Sequence, residues 1–126
     1  MILSDDTRRA LARGRALYNA AEFWEAHEAW EDAWQVEDGE VRQLLQGLIQ
    51  VAAGFYKARV QLQPRGCVKL LTAGLEKLAP LPDDSGGLAL GRFRASVERA
   101  LAEGRRWEQG ERGPLEAALV PPLDER

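Results

Sequence analysis

Apolar side chains recur at helical spacing along most of the chain. After the turn and cap signal Asp38-Gly39, residues 40 to 61 carry them at 41, 44, 48, 51 and 55, continuing to 58 and 62, a 3.6-residue period that predicts the longest helix. Its apolar arc runs from Leu44, Leu48, Val51 and Phe55 round to Leu45, Ile49, Tyr56 and Val60, so this helix is expected to be central. Ser4 predicts the N-cap of a first, surface-lying helix through Leu17. Asn19 followed by Glu22 has capping-box spacing, and a second helix is expected from about Ala20 to Gln35. Pro64-Arg65-Gly66 should break the long helix, a fourth should run from Cys67 to Leu78, and Pro80 and Pro82 should end it. A fifth fits Leu90 to Arg106, with Phe93, Val97, Ala100 and Leu101, joined by Trp107, on its inner face. The tail from Pro114 to Leu123 has room for one helical turn before Pro121, and its Leu and Val side chains should pack on the bundle. Nowhere does an alternating pattern bounded by turn residues predict a strand. The expected fold is an all-α, single-domain bundle of four to five helices, with a central long helix at about 40–61 and an irregular C-terminal tail.

Length and composition agree with one core: 126 residues, 45% hydrophobic and 29% charged. Seventeen Lys and Arg against twenty Asp and Glu leave a net charge of -3, which disfavours nucleic acid as a partner. The arginines of the fifth helix (Arg92, Arg94, Arg99, Arg105 and Arg106) are interleaved with Glu98, Glu103 and Glu108, the pattern of a solvated, ion-paired surface. Cys67 and His27 are the only cysteine and histidine, so no intramolecular disulfide and no ordinary structural zinc site can form. No apolar run approaches 18 residues and Met1 to Asp6 carry no signal-peptide pattern, so no membrane association and a cytoplasmic location are expected. Gly-rich phosphate loops and a Gly-x-Ser-x-Gly elbow are missing as well, which makes an enzyme the less favoured class.

The second helix concentrates the candidate chemistry. Glu22, Glu25, Glu28, Glu31, Asp32, Glu37, Asp38 and Glu40 put eight acids in a stretch with no Lys or Arg. The 57–77 stretch is basic, with Lys57, Arg59, Arg65, Lys69 and Lys77, so helix docking is expected to absorb part of that acidity. Helical projection puts Phe23, Ala26, Trp30, Ala33 and Trp34 on the core face, with Glu25, Glu28 and Asp32 opposite. His27 and Glu31 fall between, four residues apart at the edge of the core and flanked by Trp24 and Trp34. Such a pair can satisfy a half-buried imidazole, can chelate one divalent transition metal, or can position the ring for acid–base work. Two protein ligands are few, so another helix or water would have to complete a metal site. On the long helix Gln46 and Gln50 offer amide donors and acceptors four residues apart, which an antiparallel hairpin could bring to the His27 and Glu31 edge. Gly47 and Gly54, in register on one side, predict close approach of another backbone or a ligand.

His27, Glu31 and Trp34, within Phe23-Trp24-Glu25-Ala26-His27-Glu28-Ala29-Trp30-Glu31-Asp32-Ala33-Trp34, form an H-x-x-x-E-x-x-W pattern. With the block Leu45-Gln46-Gly47-Leu48-Ile49-Gln50-Val51-Ala52-Ala53, the chain resembles the prokaryotic family called domain of unknown function 309. Arg65-Gly66-Cys67-Val68-Lys69-Leu70-Leu71 is similar to the start of that family's next helix, without its usual Asn after the first glycine. The resemblance covers about residues 15 to 80 and implies a small, all-helical domain whose His and Glu bind metal. It carries over His27, Glu31 and Trp34 as site candidates, Gln46 and Gln50 as weaker ones, and Glu28 as a match to the family's His-Glu pair whose projected direction is outward. The competing expectation is a helical protein-interaction or homodimerisation module. The residues from Leu17 to Ala26 have the turn and aromatic spacing of a single tetratricopeptide-like hairpin, with no second copy 34 residues on, and three Trp fall within eleven positions.

Overall fold

The computed structural model describes all 126 residues and contains five α-helices: α1 (Asp5–Asn19), α2 (Phe23–Trp34), α3 (Gly39–Arg59), α4 (Pro64–Leu78) and α5 (Leu90–Glu108). Short 3-10 turns at Ser85–Gly87 and Ala117–Leu119 complete the secondary structure. The nearest approach to a sheet is one antiparallel bridge between Leu88 and Glu125. The expected all-α bundle is therefore the observed one.

As its periodicity predicts, α3 is central. It packs against α2 on one side and α4 on the other, while α1 covers α2 and α5 covers α4. Leu44, Leu45, Leu48, Val51, Phe55 and Ala58 of α3 are buried in one continuous core that takes residues from every helix and from the tail. The glycines of α3 serve helix packing. A Cβ on Gly47 would stand 2.5 Å from the Leu78 side chain, one on Gly54 2.8 Å from Leu71, and one on Gly74 of α4 2.9 Å from the Gly47 carbonyl. Backbone meets backbone along this seam, and the close neighbour is α4, not a ligand.

Several expectations need correction. The capping box does not form: α2 begins at Phe23 with no side-chain cap. Asn19 is the last residue of α1, and its amide pairs with the backbone of Leu123, donating to the carbonyl and accepting from the N–H, both at 2.9 Å. A long-range partner outcompetes a local one there. The helix α4 starts at Pro64, whose missing N–H costs nothing in the first turn, so the proline opens the helix as well as ending the connection before it. Leu62 and Val60, assigned to the apolar stripe of the long helix, lie past its end and are exposed, with Leu62 at φ +54°. The first helix is less superficial than its arginines suggest, since Leu11, Gly14 and Tyr18 are buried and Gly14 lies flat against the Trp30 indole.

The tail packs as expected. Leu115 and Leu123 are fully buried, the Tyr18 hydroxyl donates to the Pro121 carbonyl at 2.7 Å, and Arg59 donates to the Leu115 carbonyl at 2.8 Å. The expected neutralisation of the second helix by the basic stretch does not occur. Ten of the eleven ion pairs of the chain join residues within 5–15 and 83–126, and the remaining one is His27–Glu31. Helix α3 lies between α2 and α4, and no acid of α2 comes within ion-pair distance of a base of the 57–77 stretch.

Candidate functional site: the exposed edge of helix α2

Local geometry places the candidates as helical spacing requires. Trp30 turns inward and is 1% exposed, with its indole N–H donating to the Leu11 carbonyl at 3.3 Å. His27, three residues before Trp30, and Glu31, the residue after it, reach the surface edge, their side chains 17% and 42% exposed. The His27 Nε2 lies 2.9 Å from a Glu31 carboxylate oxygen, and Nδ1 lies 3.3 Å from the Trp24 carbonyl. Both ring nitrogens thus face oxygen acceptors. A neutral imidazole can donate to one of them, whereas an imidazolium donates to both.

Aromatic rings frame the pair. The Trp24 indole packs on the His27 ring with centroids 4.7 Å apart and on Tyr56 of α3 at 5.3 Å. Trp24 is 46% exposed, an unusual position for a residue of this size. At the other end of α2, the Arg42 guanidinium lies 4.1 Å over the Trp34 ring. Helices α2 and α3 therefore form the antiparallel hairpin that the sequence suggests, held by Trp24–Tyr56 at one end and Trp34–Arg42 at the other.

The remaining candidates separate. Gln46 lines an open surface hollow of about 460 Å³ with Trp34, Gly39, Arg42, Gln43 and Lys77. Gln50 is half-buried, and its carboxamide oxygen is enclosed with no hydrogen-bond partner. No hydrogen bond joins either glutamine to His27 or Glu31, so the four do not form one network. Glu28 points to solvent, as its projection predicts. Tyr56 and Arg42 are site neighbours that the sequence reading passed over. Pairing the two helices residue by residue from their connecting turn would have indicated both.

Other reactive groups lie elsewhere. Burial pushes the Cys67 thiol up to about 12, so it stays protonated and inert as a nucleophile or soft ligand near neutrality. Burial likewise raises the Tyr18 hydroxyl well above its ordinary range. No group of three or more His, Cys, Asp or Glu side chains lies together anywhere in the chain. A divalent ion could take only His27 and Glu31 from this edge. At 2.9 Å the two atoms are within direct hydrogen-bond distance of each other, so an ion would have to displace that bond to be held by both.

The chain is thus a single-domain helical bundle whose polar candidates gather on the exposed edge of its second helix. Residues 11–70, from mid-α1 into α4, match the model of the family described as Domain of unknown function (DUF309), so the resemblance to that family is shown over this stretch. The chain is also 27% identical over 92 residues to an uncharacterized protein of Aquifex aeolicus (strain VF5). That alignment takes in 72% of this chain and 27% of its relative, so the chain spans about a quarter of the longer protein.

Proposed function

We propose that this protein is a small binding domain that takes a divalent transition metal, or a small ligand of similar demand, on the His27 and Glu31 pair. The observation that carries this reading is the preset ring. Nδ1 faces the Trp24 carbonyl, as a ligating histidine's second nitrogen commonly does, which leaves Nε2 directed at the carboxylate across a gap of 2.9 Å. Water would fill the other coordination positions, Trp24 and Tyr56 would wall one side, and Glu28 would remain outside the shell. The site carries no assigned catalysis. The inert thiol suits a reducing compartment, and we infer a cytoplasmic location.

The test compares untagged wild type with His27→Ala and Glu31→Gln after dialysis against metal-free buffer, reading bound transition metal by elemental analysis and the melting temperature of each. Near-stoichiometric metal in the wild type alone supports the reading. Metal in none of the three, with a lower melting temperature for His27→Ala, makes the pair a structural hydrogen bond. A second reading, a helical interaction or homodimerisation module, draws on the 46% exposure of Trp24 and on the unpaired charges of α2 and α4.

A further inference from the structure

Apart from His27–Glu31, no charged side chain of α2 to α4 forms an ion pair. Glu25, Glu28 and Asp32 on α2 are exposed with no cation within ion-pair distance. Arg65, Lys69 and Lys77 on α4 are exposed, Lys57 at the end of α3 is half-exposed, and none of the four has a carboxylate partner. Those two sets border one surface. Between them runs the half-exposed strip of α3, Gln43, Gln46, Gln50, Ala53 and Lys57, whose spacing of three and four residues keeps it on one side. On the α4 border Gln43 donates to the Lys77 carbonyl at 2.9 Å, and the Lys57 stem lies over Gly66. On the α2 border Trp24 stacks on Tyr56. The hollow lined by Trp34 of α2, by Arg42 and Gln46 of α3 and by Lys77 of α4 shows that all three helices open onto the same face.

We propose that this face binds a second copy of the same chain about a two-fold axis over the glutamine strip, with the acidic edge of α2 lying on the basic edge of the partner's α4. This deepens the interaction reading given above and is independent of the metal reading. A surface acidic along one border and basic along the other is complementary to itself when turned by a half-rotation, the requirement for a closed isologous dimer. The neutral glutamines supply the centre, where charge would be costly, and the exposed Trp24 adds amphipathic aromatic surface on the α2 border.

Sedimentation equilibrium of the full chain across a range of concentrations, in 50 mM and 500 mM salt, tests this. The expected result is a mass that rises to twice that of the chain and no further. The dissociation constant of the dimer should be at least tenfold larger in the higher salt, where screening shortens the reach of these charges. Lys69→Glu with Lys77→Glu should be monomeric, and so should Glu28→Lys with Asp32→Lys. Mixing the two variants one to one should restore the dimer, because each opposing pair of edges is again of opposite sign. Circular dichroism and melting temperatures establish that each variant is folded. A wild type monomeric at every concentration overturns the proposal. So does a mass that grows beyond two chains, which would mean head-to-tail contacts, or a dimer indifferent to both charge reversals. Metal content measured on the same samples keeps failure here distinct from failure of the His27 and Glu31 site.

Discussion

The shell formed by α1, α5 and the tail differs from the slab of α2, α3 and α4 in how each handles polar groups. In the shell, polar groups close on one another: Arg112 bridges Glu103 and Glu116, Arg94 reaches Asp83 and two carbonyls, and Tyr18 and Asn19 clasp the tail backbone. In the slab, cohesion comes from apolar side chains and the glycine seam, and His27–Glu31 is its one ion pair. Exposed ion pairs contribute little stability, about 0–1 kcal/mol each, so the contrast concerns what the surface is available to do more than how strongly the chain folds. Ten of the eleven ion pairs belong to the shell and its flanking loop, whereas Glu25, Glu28 and Asp32 of α2 and Arg65, Lys69 and Lys77 of α4 are left for another molecule.

The seam sets how firmly the slab holds, and it offers the largest effect. Gly74→Val would drive a side chain into the Gly47 carbonyl, 2.9 Å from the new Cβ, and the two helices would have to part. A loss of about 3 kcal/mol is expected, since overpacking costs about 1–3 kcal/mol or more and the helix-propensity gain recovers less than 1. Urea unfolding measures it, and an unchanged midpoint would show that the seam is slack. The shell's clasp comes next. Asn19→Ala removes two hydrogen bonds to Leu123, for about 2 kcal/mol in the same measurement. Tyr18→Phe leaves the Pro121 carbonyl without its donor, for about 1–2 kcal/mol. If both cost nothing, the tail is ornamental and the contrast between the regions dissolves.

These residues also mark where sequence is informative. Helical period identifies α3 and its core face because every turn repeats the same physical demand, and i, i+4 spacing identifies the His27 and Glu31 pair because one helix supplies both partners. Asn19 defeats the same logic. Its side chain fits a local cap but finds a partner 104 residues away, a choice settled by tertiary packing that no local pattern records. The glycines are intermediate: register announces a close approach, while the identity of the neighbour, α4, depends on how the helices assemble. Charge docking failed as an expectation because composition records which charges a stretch carries and not which way they face: Glu25, Glu28 and Asp32 lie on the solvent side of α2, away from its contact with α3.

Cys67 offers an alkaline test of slab packing. An acid whose folded value lies above its unfolded one contributes stability that is complete below the unfolded value and declines as pH rises between the two. With the thiol moved from 9.0 up to about 12 by burial, stability should begin to fall above pH 9, and Cys67→Ser should flatten that limb. Alkylation at pH 8 should require unfolding. Rapid labelling of the native chain would mean that the slab opens readily around the base of α4.

The smallest effect concerns the shell's ion pairs under acid. Hydrogen bonding from Arg112, helped by the charges of Arg106 and Arg112, holds the Glu103 carboxyl below its ordinary value of 4.5. A carboxylate lowered in the folded state contributes stability that is present above the unfolded value and lost as pH falls through the folded one. Melting temperature should therefore decline below about pH 4.5 by a component that Glu103→Gln lacks, and high salt should shrink that component because the Arg106 and Arg112 network lies at the surface. Above pH 6 the variant should melt only slightly below the wild type, since surface ion pairs contribute little. A Glu103→Gln protein that still dimerises with the wild-type salt dependence would confine this network to the shell. One that loses self-association would show that the division between engaged and free charges is drawn in the wrong place.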